Sequence, residues 1–123
     1  MNDTVTDALD AVVRGLSLDS YRWHIFLCAD QTKPLCCDKG AGLEAWDYLK
    51  RRLKELGLDR GEAAILRTKA NCLRVCQHGP ILLVYPGGYW YRHANSEVIE
   101  RVVQEHLLGG KPVQEYLFLT NHP

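Results

Sequence analysis

No stretch of this chain approaches the roughly 18 consecutive apolar residues that a membrane-spanning helix needs, so membrane insertion is not expected. Net charge is also lacking, because 15 Lys and Arg are matched by 15 Asp and Glu. A neutral chain has no global field to draw it to nucleic acid or to an anionic membrane surface, and neither is expected as a partner. The opening Met1-Asn2-Asp3-Thr4 is polar and acidic. It lacks the basic region and apolar stretch of a secretory signal, which predicts a cytoplasmic protein. Internal repeats, low-complexity tracts and linkers are missing as well. So are the G-x-G-x-x-G and P-loop patterns, which removes nucleotide binding from the expected functions. The Cys-x-x-Cys dithiol of thiol oxidoreductases does not occur; the chain offers Cys-Cys and Cys-x-x-x-Cys instead.

What is present is a chain of 123 residues, 46% apolar and 24% charged, enough for one hydrophobic core. Val5, Leu9, Val12, Val13 and Leu16 recur at near-helical spacing, which predicts an amphipathic helix packed on the domain's own core, with a partner or dimer contact as the alternative. Trp23 to Cys28 is a continuous apolar run of strand length, expected to be buried on both faces. Leu43, Trp46, Leu49, Leu53 and Leu56 mark a helix stopped at Gly57. Strands are expected over 63–67 and 81–85. A Pro86-Gly87-Gly88 turn then leads to a return strand at Tyr89-Trp90-Tyr91. Asn95 or Ser96 can cap a helix ending at Gly109-Gly110, and 113–119 can form a last strand. This order implies an α/β fold, a mixed sheet with helices on its faces. Trp46, Tyr85, Tyr89 and Trp90 are read as packing, and Lys50-Arg51-Arg52 as a solvated helix face.

The five cysteines, Cys28, Cys36, Cys37, Cys72 and Cys76, fall in loops or at strand ends. In a reducing compartment such thiols point to metal binding or catalysis more than to disulfides. Seven residues separate Cys28 from Cys36, thirty-five separate Cys36 from Cys72, and three separate Cys72 from Cys76. If the first two strands lie side by side, both cysteine loops leave the sheet at one end and four sulfurs can converge. Structural zinc takes its cysteines in pairs two to four residues apart, and the first interval exceeds that reach. A two-iron cluster accommodates wider spacing and is the favoured object, with zinc and thiol redox chemistry as alternatives.

H-I-F-L-C at 24–28, C-x-x-x-G from Cys36 to Gly40, C-L-R-V-C-Q-H-G-P-I-L-L-V-Y-P-G-G-Y-W-Y at 72–91 and H-L-L-G-G-K-P-V at 106–113 resemble the thioredoxin-like [2Fe-2S] ferredoxins. That family in turn resembles the small [2Fe-2S] subunit of respiratory NADH dehydrogenases. The resemblance covers about residues 22 to 119. It implies a thioredoxin-like domain over 21–120 preceded by an N-terminal helical extension over 1–20. It places the family's first, third and fourth cluster ligands on Cys28, Cys72 and Cys76. The family's glycine four residues after its second ligand selects Cys36, through Gly40, and leaves Cys37 spare. The implied function is one-electron transfer to and from redox partner proteins by a homodimer, not enzymatic turnover, either as a free carrier or as a subunit of a larger oxidoreductase. A zinc-stabilised thioredoxin-like binding module and a thiol-disulfide redox protein are the competing readings. Lys33, Lys39, Lys69, Arg74 and His78 lie near the cysteines in sequence and suggest a basic rim facing acidic partners.

Overall fold

The strand Trp23–Cys28 (β1) forms because six consecutive apolar or aromatic-rich residues suit a pleated, buried position. It lies at the interior of the sheet. In this computed structural model, which describes residues 3–29, 38–75 and 77–121, β1 pairs in parallel with β2 (Ile65–Ala70) and antiparallel with β3 (Leu82–Tyr85). β3 turns into β4 (Tyr89–Tyr91), which pairs antiparallel with β5 (Leu117–Thr120). The sheet is therefore mixed, with strand order β2-β1-β3-β4-β5.

The parallel pair requires a crossover, and the helix α2 (Lys39–Glu55) supplies it. Asp38 caps its first turn by accepting a hydrogen bond from the Ala41 N–H at 3.3 Å. The helix starts four residues before the expected apolar stripe, because Lys39 and Gly40 complete the first turn without facing the core. At its end Gly57 adopts φ 70°. The N–H groups of Gly57 and Leu58 then reach back to the carbonyls of Lys54 and Leu53. This is the glycine-terminated helix stop, and Leu58 returns to the core beside it. Leu58 also accepts from the Ile65 N–H at 2.7 Å, which sets the start of β2.

The β3–β4 connection is the expected tight turn, with Gly87 at φ 110° and Gly88 at φ 66°. A Cβ at Gly88 would lie 2.5 Å from Asn121 Oδ1, so glycine is required on both counts. Asn95 caps α3 (Ser96–Arg101) by accepting from the Val98 N–H at 3.0 Å. The helix then widens into a π-helical segment, Val102–Leu108, which periodicity alone did not suggest. The Trp23 indole donates to the Leu107 carbonyl at 3.1 Å, giving that carbonyl a partner inside the fold.

The core lies on one side of the sheet. Trp23, Ile25 and Leu27 of β1, Leu82 and Val84 of β3, and Tyr91 of β4 pack against Trp46, Leu49 and Leu53 of α2 and Val98, Ile99, Val102 and Val103 of the last helix. The other face carries His24 and Phe26, whose rings stack at 4.2 Å, with Tyr85 edge-on to Phe26 at 6.3 Å. His24 and Phe26 are half-buried and Tyr85 is exposed, so β1 is not buried on both faces as its apolar run suggested. Both core-packed helices sit on the same face.

The N-terminal helix α1 (Asp3–Gly15) is present as expected, but not packed as expected. Val5, Leu9, Val12 and Leu16 are 52%, 59%, 54% and 57% exposed. Periodicity identified the apolar residues correctly, but α2 and the last helix are what close the core, and of the stripe Val13 is half-buried while the others stay exposed.

Candidate metal centre

Parallel pairing of β1 and β2 carries both cysteine loops to one end of the sheet. Cys28 stands opposite Ala70 in register, and the Ala29 N–H extends the ladder by donating to the Ala70 carbonyl at 3.0 Å. Two residues beyond Ala70 comes Cys72. Cys28 and the strand end that leads to Cys72 therefore lie side by side at one end of the sheet.

The two sulfurs differ in setting. Cys28 is 1% exposed. Its Sγ accepts a hydrogen bond from the Ile81 N–H at 3.0 Å, and its own N–H donates to the Ile81 carbonyl at 3.1 Å. Cys72 is exposed, and its Sγ accepts from the Arg74 N–H at 3.2 Å. Arg74 holds φ 71°, the left-handed region, and this local fold turns its N–H back toward the sulfur two residues earlier. For a side chain other than glycine that conformation costs about 1–2 kcal/mol, offset here by the contacts it makes possible. Backbone N–H groups directed at sulfur are what a thiolate needs, since they stabilise negative charge on it. Soft thiolate donors of this kind suit iron–sulfur clusters and zinc alike.

Cys36, Cys37 and Cys76 lie outside the described residues. Cys37 is bonded to Asp38, the cap of α2, and Cys76 to Val75 and Gln77 on either side. Because α2 runs back along the parallel pair, its N-terminus lies at the same end of the sheet as Cys28 and Cys72. Among the described residues no three His, Cys, Asp or Glu side chains converge on a metal position. The second loop is anchored on its return leg: the His93 N–H donates to the His78 carbonyl at 2.7 Å and the Ala94 N–H to that of Pro80 at 2.8 Å. The ladder of β3 begins immediately after, at Leu82.

Both signs of charge occur near the cysteines, with Asp38 exposed beside Lys39. Lys39, Lys69, Arg74 and His78 are exposed; Lys33 lies outside the described residues. Arg92 and Phe118 were not among the sequence candidates. They form one wall of a groove of about 500 Å³ whose other wall is Arg74, Val75, Gln77 and His78. No local spacing connects them to the cysteines, since they enter from the end of β4 and from β5.

The packing reading holds for Trp46 and Tyr89, while Trp90 is half-buried outside the core. Trp46 is buried in the core and Tyr89 packs against it. Trp90 donates its indole N–H to Asn121 at 2.6 Å. Tyr85 is the exception, 39% exposed on the open face of the sheet. Within Lys50-Arg51-Arg52, Arg52 is not merely solvated: its Nε donates to Glu100 at 2.8 Å, tying α2 to α3.

No protein-family model matches the chain. A protein of Priestia megaterium described as a 2Fe-2S ferredoxin is 33% identical over 101 residues, covering 82% of this chain and 73% of that one. The "Ferredoxin, 2Fe-2S" of Aquifex aeolicus (strain VF5) is 26% identical over 105 residues, 81% of this chain and 92% of the relative. Among solved structures, a thioredoxin-like [2Fe-2S] ferredoxin from Aquifex aeolicus superimposes with a TM-score of 0.65 at 26% identity, over 85% of this chain and 96% of its own.

Proposed function

This chain belongs to the thioredoxin-like [2Fe-2S] ferredoxins, and on that premise we propose that it carries single electrons on a [2Fe-2S] cluster held by Cys28, Cys36, Cys72 and Cys76. The chief support is the arrival of Cys28 and Cys72 at one end of the sheet, each sulfur receiving a backbone N–H. When bound, the cluster supplies a one-electron couple. The chain's own work is to hold it and to set its potential. Burial of the Cys28 sulfur removes water from one side of the site, which disfavours added negative charge. The Ile81 and Arg74 N–H groups oppose that effect by stabilising charge on sulfur. Cys72, being exposed, would leave that side of a bound cluster open to a partner.

Nothing in this reading requires a bound substrate or a general acid, so the protein transfers electrons and is not an enzyme by itself. It works with redox partner proteins, as a free carrier or within a larger oxidoreductase. Two further assignments accompany it. Reduced, cluster-binding thiols fit a cytoplasmic site, and no helix among the described residues is long and apolar enough to cross a membrane. A homodimer is supported by the open sheet face. There Tyr21, Phe26, Leu83, Tyr85 and Pro86 line a shallow apolar groove of about 430 Å³, a surface that an isologous contact would bury.

Anaerobic purification tests the function. A red-brown protein containing iron and acid-labile sulfide, bleached by dithionite, is the expected result. A colourless zinc protein, or a metal-free thiol protein, overturns it. Sedimentation tests the dimer: the wild type is expected at twice the chain mass and Tyr85→Arg at the monomer mass.

A further inference from the structure

We propose that the groove between the second cysteine loop and β5 is the docking site of an acidic redox partner, which sets carboxylates on Arg74 and Arg92 and an apolar side chain against Phe118. This rests on the electron-carrier reading and names the partner chemistry of the same site.

Position comes first. Val75 and Gln77, which line the groove, are the covalent neighbours of Cys76, so a protein seated there lies directly against the cysteine loop. Electron transfer falls steeply with distance, and a partner gains most by docking where a ligand is adjacent. The groove is also a built feature of the fold. Its loop wall is clamped to the β4–α3 connection by the His78 and Pro80 carbonyls, and its other wall stands on the sheet.

The lining then selects the partner. Arg74 and Arg92 contribute two positive charges, and no carboxylate is among the described lining residues. Arg92 donates to the Glu115 main-chain carbonyl at 3.1 Å and lies 5.4 Å from the Tyr116 ring. These contacts orient the guanidinium without neutralising it. Phe118 is 43% exposed, with its ring 6.4 Å from Trp90. Arginine and aromatic side chains around a concave site are the residue types that dominate protein interfaces. Because the whole chain carries no net formal charge, this is a local field, and local fields select partners and orient their approach.

The test uses the oxidised, cluster-containing protein and a short fluorescein-labelled peptide of Glu and Asp around one Leu, with binding read by anisotropy at low ionic strength. Arg74→Glu and Arg92→Glu are each expected to weaken binding about tenfold, and Phe118→Ala about fivefold. Arg60→Glu makes the same charge change at the far end of the sheet, where Arg60 sits exposed beside Asp59; it is expected to stay within about twofold. The proposal is overturned if the wild type does not bind the peptide, if Arg60→Glu weakens binding as much as the groove variants do, or if these leave it unchanged. Arginine-dependent binding of an oligo-dT strand tighter than that of the peptide also overturns it, since the occupant would then be a nucleic acid. Failure of the electron-carrier reading shows separately, as a visible spectrum without cluster absorption, whatever the anisotropy reports.

Discussion

Ile81 and Cys28 exchange two hydrogen bonds: the Cys28 N–H donates to the Ile81 carbonyl at 3.1 Å, and the Ile81 N–H donates to the Cys28 sulfur at 3.0 Å. The first is the last rung between β1 and the segment leading into β3. The second would be spent on a carbonyl in an ordinary antiparallel ladder. Its diversion to sulfur gives a side chain that is 1% exposed a donor suited to a thiolate.

Removing a ligand sulfur should therefore remove the cluster. Cys28→Ser, Cys36→Ser, Cys72→Ser and Cys76→Ser are each expected to lose most of the bound iron and acid-labile sulfide, whereas Cys37→Ser keeps a full complement. Because the ligands meet only in the folded chain, cluster loss is also expected to lower the thermal midpoint. Iron and sulfide analysis of the five variants checks the assignment. Full iron in Cys36→Ser with loss in Cys37→Ser would exchange those two residues.

His106 makes stability depend on pH. It is 2% exposed, with its ring 5.2 Å from Trp23 and 4.3 Å from Tyr89. The Tyr91 hydroxyl lies 2.7 Å from Nδ1 and accepts from the Val113 N–H at 3.1 Å, an arrangement that suits a neutral imidazole with Tyr91 donating to it. Burial, with the nearby Arg22 charge, lowers its pKa from 6.5 to about 4. Between those values the unfolded chain holds the proton and the folded chain does not. Stability is thus full above pH 6.5 and falls as pH drops toward 4, by at most about 1.4 kcal/mol per pH unit. Urea unfolding across this range should show that slope in the wild type and a flatter one in His106→Gln.

A second acid-sensitive element takes over below that range. Glu100 accepts from Arg52 Nε at 2.8 Å, from the Tyr48 hydroxyl at 2.6 Å and from Gln104 at 3.0 Å. These donors, Arg52 foremost, hold its carboxyl at about 2, below its usual 4.5. The stabilisation is complete above 4.5 and is lost as pH falls toward 2. With the carboxylate 30% exposed, solvent screening reduces its worth to about 1 kcal/mol. Glu100→Gln should lose about that much at neutral pH and flatten the acid limb of the unfolding curve.

Deleting residues 1–15 should leave the domain intact. Val5, Leu9 and Val12 of α1 are more than half exposed, so its removal takes little apolar surface from the core and is expected to change unfolding free energy by less than about 0.5 kcal/mol. Iron content should not change. A loss of several kcal/mol in urea unfolding would mean that the stripe is buried against the domain in solution.

The elements and the chemistry were legible in the residues alone. Apolar spacing located α2, glycine and proline marked the β3–β4 turn, and cysteine placement with the motifs around it pointed to the cluster and the family. Each is a local property, a matter of which residues are apolar, which adopt unusual φ, and which can bind metal. Which surfaces meet was a matter of how the elements pack. The amphipathic pattern of α1 shows that it has an apolar face, but whether the core has room for that face depends on α2 and the last helix, which already cover one side of the sheet. His106 is buried, and so titrates low, because Trp23, Tyr89 and Tyr91 close over it from two strands distant in sequence. Arg92 and Phe118 join Arg74 in one groove because β4 and β5 bring them there. Such contacts depend on the relative placement of whole elements, to which no periodicity within a single element is sensitive.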